Sequence, residues 1–224
     1  MPPEVVVAEV FGAGYDDGEI FPAEFAAVAA AVPKRRGEFT AARVCAHLAL
    51  ERAGFPATPI LSGPSREPLW PDGVVGSLTH CDGYRACAVG LADAIAAIGI
   101  DAEPHAALPD GVLPMVAGEP ERAELDVLAA ADPATCWDRI LFCAKESVYK
   151  AWFPATGRWL GFGDAAVTID RSGGFTARLM VPGPLVGGRP LTAYHGRWLV
   201  DRGLIFAAVT VSAPPRQTTC RGFA

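Results

Sequence analysis

Residues 74–79, 84–90 and 94–100 are short apolar runs set too close together for a helix to fit between them. Each has the length and β-branched or small-residue content of a strand candidate. Residues 84–90 and 94–100 read as a hairpin turning at Leu91-Ala92-Asp93. The last run continues into Gly99-Ile100-Asp101-Ala102-Glu103. Alternate residues of an extended strand point the same way, so Asp101 and Glu103 share a face. Downstream, residues 133–152 read as a helix containing Phe142-Cys143-Ala144-Lys145-Glu146-Ser147-Val148-Tyr149-Lys150, in which Glu146 and Lys150 share a face at i,i+4 spacing. Three carboxylates converging beside a lysine suit a hard cation and a phosphate ester.

The remaining pattern gives helices and strands in both halves. Residues 5–11 are predicted as a strand ending at Gly12-Ala13-Gly14, and 22–32 as a helix stopped by Pro33. Lys34-Arg35-Arg36 precedes a predicted helix over 38–53, with Phe39, Ala42, Ala46 and Ala49 at helical spacing. Residues 56–71 are irregular and rich in proline, with 63–71 reading as an ordered loop, and 104–118 read as a proline-punctuated loop or lid. A helix over 119–131 and strands over 159–162, 165–169, 175–180, 191–199 and 204–211 follow, with a polar, frayed tail after Ala213. The expected fold class is α+β in two lobes, residues 1–105 and 106–224, each an antiparallel sheet packed with helices. Residues 84–89 and 204–209 are candidate counterparts between the lobes.

Composition narrows the function. A chain of 224 residues that is 51% hydrophobic and 20% charged can bury a proper core. Its net charge of -6 argues against generic nucleic-acid binding. The six cysteines show no C-x-x-C pair and no zinc-like spacing with the histidines, so reduced thiols are expected. No basic segment followed by an apolar core opens the chain, and the longest apolar stretch, 86–100, is broken by Asp93. These features are those of a soluble cytoplasmic protein. Of 19 lysines plus arginines only Lys34, Lys145 and Lys150 are lysines, and two of them lie in the second acidic segment.

Each motif also has a plainer reading. The acids are equally solvated groups at a strand end, and Glu146 with Lys150 an exposed i,i+4 ion pair. Arg35 and Arg66 alone read as surface arginines, whereas Arg43 lies among apolar neighbours on its helix. A lone His80 is more often a satisfied structural residue than a ligand. Cys81 beside it suggests a Cys/His nucleophile, but no orienting third group is identifiable.

Taken in order, five elements resemble the 4′-phosphopantetheinyl transferases of the surfactin and enterobactin type. They are the Arg43 helix, Arg66-Glu67-Pro68-Leu69-Trp70-Pro71, Gly76-Ser77-Leu78-Thr79-His80, Gly99-Ile100-Asp101-Ala102-Glu103, and the helix from Phe142 to Lys150. The resemblance spans roughly residues 35–160 and implies a pseudo-dimeric two-lobed fold with the active site between lobes. It implies transfer of the phosphopantetheine arm of coenzyme A to a serine of an apo acyl, peptidyl or aryl carrier protein, releasing adenosine 3′,5′-bisphosphate. It further implies magnesium, or alternatively manganese, held by Asp101, Glu103 and Glu146. Coenzyme A would be bound by Arg35, Arg43, Arg66, Thr79, His80, Lys145 and Lys150, with His80, Arg43 and the Arg66 loop at the 3′-phosphate end. Glu146 and Lys150 are the expected catalytic pair, in a monomer that engages neither nucleic acid nor membrane. The segment 104–118 would border the carrier-docking surface through Leu108, Val112, Leu113 and Met115. A magnesium-dependent nucleotide hydrolase and a non-catalytic coenzyme A sensor are the alternatives; there is no P-loop or G-x-G-x-x-G fingerprint.

Overall fold

Two antiparallel sheets, each carrying one long helix, make up an α+β fold in two lobes. The computed structural model describes residues 1–12 and 19–215. The first part of the chain supplies β1 (Val5–Phe11), α1 (Pro22–Ala26), α2 (Pro33–Arg52), β2 (Leu61–Ser62), β3 (Pro68–Leu69), β4 (Val74–Cys81), β5 (Tyr84–Leu91) and β6 (Ile95–Pro104). The second supplies α3 (Leu113–Val116), α4 (Glu119–Ala131), α5 (Trp137–Thr156), β7 (Ala165–Asp170), β8 (Gly174–Leu179), β9 (Leu185–Val186), β10 (Arg189–Pro190), β11 (Ala193–Asp201) and β12 (Leu204–Ser212). The principal sheets run β1-β5-β4 and β6-β12-β11-β8-β7, and β2-β3 and β9-β10 are short separate ladders.

The hairpin lies elsewhere than the apolar runs suggest. β5 pairs with β4, from Val74 opposite Leu91 to Cys81 opposite Tyr84, across the two-residue turn Asp82-Gly83. Gly83 has φ +73, as that tight turn requires. β6 is not the hairpin partner of β5; it crosses to the second sheet and pairs with β12. By hydrogen bonding the changeover between sheets falls at the turn before Ile95, ahead of residue 105.

Local chemistry explains three further differences. Pro33 does not stop a helix but starts α2, at the first helical position where its missing N–H costs nothing, and the preceding helix is only α1. The basic cluster therefore lies inside the first turns of α2. Residues 159–162 form no strand: the Phe162 carbonyl accepts from Lys145 and the Gly161 N–H donates to Asp164, so side chains replace a ladder. The 104–118 segment contains the short helix α3. The expected glycine turn after β1 and the frayed tail lie largely outside the described residues.

Burial follows the sheet faces. Cys45, Ala46, Ala49 and Leu50 of α2 pack on Ala8, Cys87 and Val89 of the first sheet. In the second lobe Ile140, Leu141, Ala144, Val148 and Trp152 of α5 pack against Val167, Phe175, Ile205 and Ala207. A third cluster joins the lobes, with Tyr84, Ala86 and Ala88 of β5 against Ile98, Ile100 and Ala102 of β6 and Phe206 of β12. β5 is therefore buried on both faces, which is why its residues show no alternation.

Candidate active site

β6 and α5 form the floor of the site because Gly99 lets them touch. A Cβ at Gly99 would overlap the Ser147 carbonyl oxygen and come within 2.8 Å of the Ala151 nitrogen, both atoms of the α5 backbone. The same face of β6 then presents Asp101 and Glu103 to α5. The Asp101 Oδ1 accepts a hydrogen bond of 2.6 Å from the Lys150 Nζ, and Glu103 accepts one of 2.9 Å from the Arg139 Nη1. Lys150 thus pairs with Asp101 and not with Glu146, one helical turn before it.

β4 closes the other side. Its Ser77 and Thr79 hydroxyls accept the Ile100 and Ala102 N–H groups at 3.1 and 3.0 Å, satisfying the edge of β6 that faces away from β12. The Thr79 hydroxyl also donates to the Asp101 Oδ1 at 3.2 Å and receives Lys150 at 3.4 Å. Thr79, Asp101 and Lys150 form one hydrogen-bonded network at the junction of three elements.

The three carboxylates repel one another in little water. Burial first, and then the Asp101 charge, raise the Glu103 pKa above the ordinary carboxylate range against the pull of Arg139 and Lys150. Burial, then Asp101 and Glu103, likewise raise Glu146, with Lys150 opposing. No described side chain or backbone group hydrogen-bonds the Glu146 carboxylate. The Asp101 Oδ2 is buried and also lacks a hydrogen-bond partner. Among the described residues no group of three histidine, cysteine, aspartate or glutamate side chains is close enough to hold a metal by itself. An unpartnered Asp101 oxygen, a Glu146 carboxylate without a hydrogen bond, and the raised Glu103 and Glu146 nevertheless fit a hard cation that takes few protein oxygens and completes its shell with phosphate and water.

Beside this floor a cleft of about 680 Å³ opens between α2, the Ser62–Pro68 loop, β4 and α5. It brings together Arg35, Arg43, Arg66, Thr79, His80 and Lys150. Arg43 is buried and cradled, its Nη2 donating to the Ser62 Oγ at 3.0 Å and its guanidinium stacked 4.4 Å above the Phe39 ring. Arg66 adopts φ +68, a left-handed conformation that few non-glycine residues occupy. The Arg35 Nη1 lies 3.4 Å from the His80 Nε2. Crowding that displaces water, and repulsion from Arg35, Lys150 and Arg85, pull the His80 pKa down against the attraction of Glu38. His80 is exposed, so of these causes the neighbouring cations are the better supported by geometry. The thiol of Cys81 beside it is pushed up to about 11 by burial and then Glu103 and Asp101, which counts against the Cys/His nucleophile reading.

Lys145 does not reach this cleft. It is buried on the other side of α5, where its Nζ donates to the Val116 and Phe162 carbonyls at 2.9 and 2.7 Å and pairs with Glu121 at 2.8 Å. One residue along a helix is a turn of about 100°, so the neighbour of Glu146 faces a different layer. Among the docking candidates Leu108 is buried, Leu113 packs on the core, Val112 is half-buried and Met115 is strongly exposed. Arg139 escaped sequence reasoning, although it lies seven residues before Glu146 on the same helical stripe. Besides Glu103 it binds the Ala106 and Ala107 carbonyls, fixing the chain as it leaves β6. The described cysteines are free thiols.

Two family models match the chain: the 4′-phosphopantetheinyl transferase N-terminal domain over residues 23–90 and the 4′-phosphopantetheinyl transferase superfamily over residues 97–204. The chain is 52% identical over 217 residues to 4′-phosphopantetheinyl transferase Svp of Streptomyces mobaraensis, covering 96% of this chain and 88% of that one. It is 50% identical over 195 residues to 4′-phosphopantetheinyl transferase PptT of Mycobacterium tuberculosis, covering 85% of each. Enterobactin synthase component D of Salmonella typhi is 34% identical over 139 residues, 60% of this chain and 55% of that one.

Proposed function

This chain belongs to the 4′-phosphopantetheinyl transferase superfamily and is a transferase, and we propose that it moves the phosphopantetheine arm of coenzyme A to a serine of an apo carrier protein with release of adenosine 3′,5′-bisphosphate. The observation that carries the reading is the cleft that gathers Arg35, Arg43, Arg66, Thr79, His80 and Lys150 beside the Asp101 network. Several cationic donors from different directions suit a ligand bearing a pyrophosphate and a separate phosphate. His80, Arg43 and the Arg66 loop are proposed to take the 3′-phosphate end, with Lys150 at the pyrophosphate. Lys145, saturated elsewhere, is left out of the set.

Asp101, Glu103 and Glu146 would hold magnesium or manganese, which when bound supplies positive charge for the pyrophosphate. The protein's own groups account for the rest. Negative charge develops on the oxygen joining the departing bisphosphate to the phosphorus under attack, and the Lys150 ammonium, held by Asp101 and Thr79, is positioned to meet it. Glu146 is the proposed acceptor of the serine proton. Its carboxylate has no hydrogen-bond partner among the described residues and shares a helix face with Lys150, one turn away, so it is free to accept a proton beside the phosphate.

The enzyme is proposed to act as a cytoplasmic monomer of two lobes that meet at the turn before Ile95, without nucleic-acid or membrane partners. Among the described residues no helix is long and apolar enough to cross a membrane. Carrier docking is proposed beside the segment 104–118, with Met115 as its exposed apolar contact. Intact-mass analysis of a panel of apo carriers incubated with coenzyme A and magnesium tests the reaction. A phosphopantetheine-sized gain with the wild type and none with Glu146→Gln is expected. Release of product from coenzyme A without any carrier would instead indicate a hydrolase.

A further inference from the structure

Behind the cleft lies a buried acid that the proposed reaction does not use. Glu24 of α1 is fully inaccessible to solvent. Its Oε2 accepts the Phe21 N–H at 2.9 Å, at the start of its own short helix. Its Oε1 accepts the Ile60 N–H at 2.7 Å and lies 2.9 Å from the His47 Nε2 on α2. The same oxygen is 4.0 Å from the Arg43 Nε, which is buried and has no hydrogen-bond partner of its own. Burial lowers the Arg43 pKa, and Glu24 is the first group to oppose that shift.

One carboxylate thus ties together α1, α2 and the start of the loop that carries Ser62 and Arg66. Ser62 holds the far end of the Arg43 guanidinium, so Glu24 fixes Arg43 both through charge and through the loop backbone. A buried glutamate needs partners of this quality, and the buried Arg43 guanidinium beside it needs a counter-charge. We propose that Glu24 is a positioning residue that acts on coenzyme A through Arg43, holding the guanidinium and the Ser62 loop in the geometry that receives the phosphate. This rests on the proposed function, since it takes Arg43 to be a coenzyme A contact.

Glu24→Asp is the decisive variant. It keeps the charge and withdraws the carboxylate by one methylene, so Phe21, Ile60 and His47 can no longer all be reached. Coenzyme A binding is measured by titration calorimetry in the wild type, Glu24→Asp, Arg43→Ala and the double variant, with circular dichroism to confirm folding. Contacting residues couple strongly, so Glu24→Asp should weaken binding about tenfold in the wild type and add nothing in the Arg43→Ala background. Equal losses in both backgrounds, or no loss in either, would overturn the inference. If Glu24→Asp does not fold, Glu24→Gln, which fills the same volume, carries the same comparison: the inference stands if its effect vanishes with Arg43→Ala and fails if it persists. Arg43→Ala that binds coenzyme A as well as the wild type would instead sink the ligand assignment, and this inference with it.

Discussion

Lys145→Met separates a structural lysine from a ligand-binding one. Methionine keeps the stem that packs through the interior and removes the ammonium. Three acceptors lose their donor at once: the Val116 and Phe162 carbonyls and the Glu121 carboxylate. Glu121 retains the Val167 and Gly118 N–H groups, so it is not stripped of partners, but its buried charge is no longer compensated. Breaking a buried pair from one side costs about 3–5 kcal/mol. At roughly 2–4 °C per kcal/mol for a chain of this size, the melting midpoint should fall by about 6–20 °C. Thermal unfolding followed by circular dichroism reads that shift, and coenzyme A calorimetry well below the lowered midpoint reads the site. A large loss of stability with coenzyme A affinity within about twofold of the wild type is expected, since the hydrogen bonds of Lys145 run to Val116, Glu121 and Phe162, away from the cleft. Unchanged stability with a tenfold weaker affinity would refute the reasoning and return Lys145 to the phosphate-binding set.

Gly99→Ala should be severe, because the added methyl meets helix backbone rather than a side chain able to swing away. Overpacking of this kind costs about 3 kcal/mol, and separation of β6 from α5 should also abolish transfer; chemical denaturation and the carrier mass assay check both, and a stable, active variant would contradict the packing. Magnesium should stabilise the fold more at neutral than at acidic pH. The raised Glu103 and Glu146 hold protons more tightly when folded than when unfolded, so stability falls as pH rises through the window from the ordinary carboxylate range to their raised values, and the repulsion stands in full above it. A divalent cation relieves that repulsion and competes with the protons, so its shift of the melting midpoint should be larger at about pH 7 than at about pH 5. Equal shifts would count against these acids as ligands.

Motifs that depend on a single period were legible in the sequence. Alternation placed Asp101 and Glu103 on one face of a strand, and the structure turns both toward α5. Helical spacing identified α2, α4 and α5, although the role of Pro33 was inverted because a proline that ends one helix and one that begins another look alike locally. The position of the hairpin is obscured in the sequence for a different reason. Asp82-Gly83 carries the stronger turn signal, but the longer apolar runs on either side of Leu91 drew the pairing to themselves. Which strand β6 joins is decided by β12, over a hundred residues later in the chain, and no local pattern encodes that choice. Lys145 shows the same limit at smaller scale. Adjacency to Glu146 suggested shared chemistry, whereas one step along a helix sends the side chain into another layer.

The seam between the lobes and the chemistry of the site are built from the same bonds. β6 has one edge laddered to β12 and the other satisfied by hydroxyls from β4, so Ser77 and Thr79 hold the sheets together where a strand would otherwise be needed. A buried edge without such acceptors would leave backbone donors unpaired. Side-chain hydroxyls can do what a neighbouring strand cannot: Thr79 accepts the Ala102 N–H and still donates to Asp101. That second bond fixes the Asp101 Oδ1 toward Lys150 and leaves the Oδ2 without a partner. The unsatisfied oxygen is thus a consequence of how the lobes meet. A cleft at this seam inherits cations from α2 and the Arg66 loop on one side and Lys150 from the other. Neither half of the chain contains the arrangement alone, which is the physical reason for a two-lobed fold to place its site at the junction.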